Sequence, residues 1–328
     1  MNYFSTIPLE TKPGQLSSQA LEYLANSLSS NTKRAYWLAL QKLETSGYTL
    51  PITPMQLVEF LTTVKTSQHT TPAMTTLQQW LSGIAKAHEL MGYENPCQSI
   101  LVKECFKGMR RTYLTPSHQA QPLLQTDIAS MVTSQSTAVM NTIKTIRDRA
   151  LILVGFTGMF RTSELVSIQL ADLLEHEDGI VVWVRRSKTD QVGYGRPVGI
   201  PRACKQSEIC PVKVLKAWLA VLKQQDIIQG PVLRNVDRRN GKGGIIGTAL
   251  TTRSVNRILK HHAQQAGIDP TLISGHSLRA GAVTTLARAG VDLWKIQQQG
   301  GWKDIRLLVE RYIRNARLFA DNAMANIW

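Results

Sequence analysis

Three short stretches toward the C-terminal end hold residues suited to phosphoryl chemistry. Gly275-His276-Ser277-Leu278-Arg279-Ala280-Gly281 is followed by Gly300-Gly301-Trp302, and then by Tyr312 within Val309-Glu310-Arg311-Tyr312-Ile313. His276 and Arg279 are three apart, so they share one face of a helix. The small residues Ala280, Gly281 and Ala282 allow other groups to approach closely, and a helix opening near Ser274 to Ser277 would add unpaired N–H groups that favour an anion. A cationic clamp followed by a tyrosine hydroxyl is the outline of a phosphate site with its own nucleophile.

Two further cationic elements lie upstream. Arg161 and Glu164 stand in Thr157-Gly158-Met159-Phe160-Arg161-Thr162-Ser163-Glu164-Leu165, directly after the apolar stretch Ala150 to Phe156, whose helix must break at Gly158. Lys188 stands in Trp183-Val184-Arg185-Arg186-Ser187-Lys188-Thr189-Asp190, where an apolar strand runs into a hairpin turn. Singly, each residue has a structural reading: Arg161 and Glu164 as a helix ion pair, His276 as a cap, Trp302 as core, Tyr312 as one side of an amphipathic helix. The ordered set Arg…Lys…His-x-x-Arg…Trp…Tyr is not accounted for that way; it resembles the tyrosine recombinase (phage-integrase) family. The resemblance is continuous from about Arg147 to Asn315 and weaker from about Asn31 to Lys65, where Ser30-Asn31-Thr32-Lys33-Arg34-Ala35-Tyr36 is similar to the opening of the family's core-binding domain.

The resemblance implies a catalytic set of Arg161, Glu164, Lys188, His276, Arg279, Trp302 and Tyr312. A tyrosine hydroxyl, with a pKa near 10, is a weak nucleophile at neutral pH, so it must be held in line and helped by a base or by cations. Arg161 and Arg279 would grip the non-bridging phosphate oxygens in a fork that lysine cannot reproduce. The family implies Lys188 as the proton donor to the departing 5′ oxygen, and Glu164 as the carboxylate that orients the cations. His276 would assist the nucleophile or bond a phosphoryl oxygen. Trp302 stands where most members carry His, and its indole can only donate, so it positions and packs. The step from Trp302 to Tyr312 is one residue longer than the family's usual spacing; a loop at Lys303-Asp304 before a helix from Ile305 to Arg311 would absorb it.

A protein nucleophile replaces metal and nucleotide: no metal site and no cofactor are expected, and no Gly-x-x-x-x-Gly-Lys-Ser/Thr loop occurs. Cys97, Cys105, Cys204 and Cys210 have no paired spacing and read as reduced structural thiols. The chain has 328 residues, 43% of them apolar, enough for two cored domains. Its net charge is +15 and uneven: residues 1 to 120 carry ten Lys and Arg against seven acids, leaving 28 against 16. Such a balance points to a polyanion, nucleic acid first. Neither a membrane span nor a secretory leader is read, so a cytoplasmic location is expected, nucleoid-associated when on DNA.

The elements that must position these residues fall into a mainly α chain with a small antiparallel β-sheet, expected as a two-domain DNA clamp of the recombinase type. Residues 1–16 read as a flexible arm, 17–114 as a helical core-binding domain, 115–122 as a Pro-containing linker, and 123–328 as the catalytic domain with a C-terminal helix for protomer docking. Helices are expected over Thr32 to Thr45 with Asn31 as cap, Met55 to Lys65, Ala73 to Met91, and Pro96 through Arg111 with Ile100, Leu101, Phe106 and Met109 inward. Gly179 to Arg186 and Gly195 to Pro201 read as paired strands, Val212 to Gln224 as an amphipathic helix behind Pro211, and Arg234 to Gly244 as a basic loop facing DNA.

Expected DNA contacts are Lys33, Arg34 and Lys86 in the first domain and Arg239, Lys242, Arg253, Asn256 and Arg257 in the second. Arg253, Asn256 and Arg257 lie on one side of a helix that, by the resemblance, would lie against the major groove, where arginine reads guanine and asparagine adenine. The expected partners are double-stranded DNA with an inverted-repeat site and three further copies of the chain in a tetramer that exchanges strands through a Holliday junction; accessory proteins are not expected. Two readings stay beside this one: a type IB topoisomerase or telomere-resolvase-like strand transferase, and a catalytically inactive DNA-binding relative.

Overall fold

Side-chain caps set where the first helices begin. In the computed structural model, which describes residues 19, 23, 27–67, 71–113, 120–134, 142–185, 194–202, 207–236 and 244–313, the chain divides into two compact units, Met1–Ser117 and His118–Trp328. In the first, the Ser29 hydroxyl accepts from the Thr32 amide, so α1 (Ser30–Thr45) starts ahead of the Asn31 cap expected from sequence. Thr53 and Gln56 form a reciprocal capping box at the start of α2 (Pro54–Thr66). After α3 (Met74–Leu90), the helix expected to run from Pro96 is interrupted. Pro96–Gln98 makes a single 3₁₀ turn, Ser99 caps the Leu101 amide, and α4 (Ile100–Thr112) starts afresh. The restart turns Val102, Phe106 and Met109 inward and leaves Ile100 and Leu101 exposed, so half of the expected apolar face lies on the surface. The core of this unit gathers Leu43, Leu57, Phe60, Leu61, Leu77 and Ile84.

The second unit is built on α6 (Ile143–Thr157), none of whose residues is exposed. Around it lie α5 (Gln125–Thr133), α7 (Thr162–Ser167), α8 (Pro211–Gln224), α9 (Thr252–Gln265), α10 (His276–Arg288), α11 (Leu293–Gly300) and α12 (Ile305–Leu308). Strands β1 (Leu173–His176), β2 (Gly179–Val184) and β3 (Arg196–Pro201) form an antiparallel sheet in that order, with Ile180 opposite Ile200 and Val182 opposite Val198. The β2–β3 pairing matches the sequence reading; β1 is an addition. A second addition is the pair β4 (Arg234–Val236) and β5 (Ile245–Ala249). Arg234 therefore does not face DNA. It is buried, and its guanidinium donates to the carbonyls of Gln229, Pro231 and Gly247. Among the described residues no helix is long and apolar enough to cross a membrane.

The fixed point of α6 is Asp148, fully buried between Arg147 at 2.6 Å, Lys144 at 3.1 Å and His262 of α9 at 3.2 Å. Burial pushes its pKa up, but the His262 hydrogen bond and the Arg147 and Lys144 charges outweigh that and hold it below the ordinary carboxylate value. A depressed carboxylate contributes stability above its unfolded pKa and loses it as pH falls through the folded value. Asp148→Asn should therefore cost about 3–5 kcal/mol at neutral pH. Denaturant titrations from neutral to acid pH should also give a flatter acid limb for the variant than for the wild type; parallel acid limbs would show that Asp148 does not carry this stability.

Candidate active site

Local backbone constraints bring the first arginine into place. After α6 the chain turns through Gly158 and Met159, whose φ of 48° is rare for a residue with a side chain. A Cβ on Gly158 would sit 2.1 Å from the Phe160 ring, so only glycine fits. The turn leaves Arg161 as the N-cap of α7. Glu164, 2% exposed, accepts from the Arg161 amide at 2.9 Å and from its guanidinium at 2.5 Å, which fixes the side chain at both ends.

The second arginine comes from the first turns of α10. Gly275 sits so close to Thr162 that a Cβ would lie 2.3 Å from its hydroxyl, and the Gly275 amide donates to Asn256 Oδ1 at 2.5 Å. Further along, a Cβ on Gly281 would meet the Leu123 carbonyl oxygen at 1.7 Å. The small residues of this helix thus admit a neighbouring backbone, the close approach their sizes suggested. His276 is exposed in the first turn, and Arg279 is 4% exposed. Arg279 Nη1 donates to the Met159 carbonyl at 2.6 Å, and its guanidinium lies 3.6 Å from the centre of the Trp302 ring. Its Nη2 is buried with no hydrogen-bond partner. Burial first, and the Arg161 charge second, pull its pKa down to about 10, leaving a charged guanidinium that lacks a full complement of acceptors.

Tyr312 lies on an arm packed against α10. Gly301 caps α11 in the left-handed conformation (φ 67°), and a Cβ on Gly300 would collide with the Trp302 ring. Asp304 caps α12, which after one turn widens into a π-helical turn, Val309–Ile313. A π turn takes an extra residue per turn. The longer Trp302-to-Tyr312 spacing is thus accommodated within the helix as well as at Lys303-Asp304, where the sequence suggested a loop alone. The Trp302 and Tyr312 rings meet edge to face at 6.0 Å and 71°, and both pack against a buried cluster of Met159, Ala282, Val283, Ala287, Ile296 and Leu308.

The structure brings Arg161, Glu164, Arg279, Trp302 and Tyr312 into one cluster, with His276 one turn ahead of Arg279 on α10. Lys188, Arg239 and Lys242 lie outside the described residues. Arg253 and Arg257 are exposed on α9 one turn apart, and Arg257 also lines a cavity with Lys144, Arg147 and His261. Asn256 differs from them: its Oδ1 already accepts from the Gly275 amide, which uses one of its two lone pairs and ties the side chain to the start of α10. In the first unit Arg34 is exposed and Lys33 half-buried on α1, and Lys86 is 3.4 Å from Glu89. Sequence reasoning missed Arg196 of β3, whose guanidinium lies 4.0 Å from Glu164. Its one signal was a charge at the mouth of an apolar strand, and the strand assignment absorbed it.

Comparison with known proteins gives the family and the fold. A family model described as the phage integrase family matches residues 129–318. An integrase/recombinase xerD homolog of Selenomonas ruminantium is 31% identical over 322 residues, covering 96% of this chain and 90% of that protein. Recombinase cre of Escherichia phage P1 is 25% identical over 255 residues, 74% of this chain and 71% of the other. Among solved structures, the XerH recombinase in a post-cleavage complex with a palindromic difH substrate has the same fold, with a TM-score of 0.58 at 17% identity over 93% of this chain and 82% of that one.

A buried guanidinium short of acceptors should bind an anion. At constant ionic strength, inorganic phosphate at ten times its Kd should stabilise the wild type by about 1.4 kcal/mol. Arg279→Ala should show no such shift in thermal unfolding; equal shifts in both proteins would place the phosphate elsewhere.

Proposed function

The chain belongs to the phage integrase family and is a site-specific tyrosine recombinase, and on that premise we propose that Tyr312 is the nucleophile and that Arg161, Arg279 and His276 hold the scissile phosphate. The Tyr312 hydroxyl oxygen attacks phosphorus and gives up its proton to His276 or to water, a 3′-phosphotyrosyl bond forms, and the bond to the 5′ oxygen breaks. That oxygen leaves with a proton from Lys188, the residue at the family's general-acid position. The observation that carries the reading is the buried, partly unbonded guanidinium of Arg279, set beside Arg161 and under the Trp302 ring that touches Tyr312. A phosphate oxygen would supply the missing acceptor in a site already shielded from water, where such a bond counts for most.

Glu164 acts by fixing Arg161, and Trp302 by covering Arg279 and bracing the tyrosine ring. The energy of the cut bond is kept in the phosphotyrosine, so a second 5′ hydroxyl can reverse the attack without ATP. The substrate we infer is double-stranded DNA with an inverted-repeat site, bound by four copies that exchange strands through a Holliday junction. The palindromic substrate of the XerH complex supports this by likeness, as does the net charge of +15. We assign the chain two domains, residues 17–114 and 123–328, joined by residues 115–122. Of the α9 side chains, Arg253 and Arg257 are the proposed base and phosphate contacts, and Asn256 serves the α10 start.

Tyr312→Phe should bind a half-site with wild-type affinity and form no covalent adduct on a suicide substrate, since the ring still packs and only the oxygen is gone. Adduct formed by Tyr312→Phe would move the nucleophile elsewhere. Arg253→Ala should relax the choice among randomised sites by about 1–3 kcal/mol at the base pair it reads, whereas Asn256→Ala should leave site preference unchanged and slow cleavage. Selection giving the reverse pattern would make Asn256 the reader.

A further inference from the structure

Resting on the reading of this site as a phosphoryl-transfer centre, we propose that Arg196 is a positioning residue for strand cleavage: it ties β3 to the turn that carries Trp302, and so sets where Arg279 and Tyr312 meet the phosphate. Arg196 opens β3, and its Nη1 donates to the Gln299 carbonyl at 2.9 Å and its Nη2 to the Gly300 carbonyl at 3.3 Å. Those are the last carbonyls of α11, immediately before Gly301 and Trp302. A Cβ on Gly301 would lie 2.4 Å from Arg196 Nε, so the left-handed turn and the arginine occupy one fitted space. Gln299 supplies a parallel tie, its side-chain amide donating to the Gly199 carbonyl of β3 at 2.9 Å and to the Thr157 carbonyl at the end of α6 at 3.1 Å.

A staple between two elements does not need a charge. Arg196 stands near Glu164 and Arg161, its side chain is 20% exposed, and burial pulls its pKa below the ordinary arginine value. Its Nε is buried with no hydrogen-bond partner. The like charges of Arg161 and Arg279 act on the same region, so three guanidiniums share one carboxylate there. In the free protein that crowding is unfavourable, and an apolar side chain would serve packing better. A bound phosphodiester offsets it. The charge is retained because the fork sets the Trp302 turn in the same field that holds the phosphate, and the turn sets the ring that covers Arg279.

The test uses the full-length chain, with single-turnover adduct formation on a suicide duplex, half-site Kd by mobility shift, and thermal melting measured in parallel. Arg196→Ala should keep its half-site Kd within about twofold and lose about 100-fold in adduct rate at saturating DNA, the size expected when reacting groups are displaced by about 1 Å. Arg196→Lys should recover only part of that rate, because an ammonium carries the charge but cannot span both carbonyls. Gln299→Ala, which removes the parallel tie and no charge, should lower the rate in the same direction with Kd unchanged. Should Arg196→Ala fail to fold, the lysine and Gln299 variants decide: wild-type adduct rates in both overturn the proposal. Full adduct rate in a folded Arg196→Ala, or a defect confined to Kd, also overturns it. A wild type that forms no adduct overturns the reading of the site itself, which the variants alone do not.

Discussion

The second unit is organised around a buried guanidinium without a full set of acceptors. Arg279 is 4% exposed, spends one nitrogen on the Met159 carbonyl, lies under Trp302, and has a second nitrogen that bonds nothing. A charge so placed is costly on its own, because desolvation is not repaid by the single carbonyl. The cost falls when an anion enters. In the proposed reaction a phosphate oxygen completes the set, and a pocket so arranged is preorganised for the charge that builds during transfer, since no solvent dipoles must reorient at the moment of reaction.

The rest of the unit holds that geometry in place. The left-handed Met159 aims its carbonyl at Arg279; Glu164 locks Arg161 alongside; Gly275 and Gly281 let α10 close on Thr162 and Leu123. Asp148 anchors the start of α6 to α9 through His262, and α6 ends at the turn that supplies both Met159 and Arg161. Disturbance at the Asp148 end therefore has a direct mechanical route to the arginines. On the other side, the Gly300-Gly301-Trp302 turn is pinned to β3, so the arm that carries Tyr312 and the sheet are not independent bodies.

Much of this was legible in the sequence because chemistry-bearing residues are spaced by helix geometry. His276 and Arg279 three apart, Arg161 and Glu164 three apart, and the break at Gly158 all follow from local rules, and all recur in the structure. What escaped was non-local. The three-residue strand β4 is too short to show periodicity, so Arg234 looked like a DNA contact when it is a buried bracket for three carbonyls. Asn256 shares a helical face with Arg253, but only the fold brings Gly275 to its oxygen. Arg196 looked like a strand residue because its partners lie more than a hundred positions away. The π turn that carries Tyr312 could not be told from an α-helix by composition, since both present apolar residues at similar spacing.

In the proposed reaction Arg279 neutralises charge on the scissile phosphate, and a substrate whose scissile phosphate carries no charge removes that task. On ordinary DNA, Arg279→Ala should be slowed about 10²–10³-fold in cleavage. On the same duplex with a neutral methylphosphonate at the scissile position, the wild type and Arg279→Ala should cleave at rates much closer together, because the charge the guanidinium answered is no longer there. An undiminished gap between the two proteins on the methylphosphonate would reduce Arg279 to a residue that packs under Trp302.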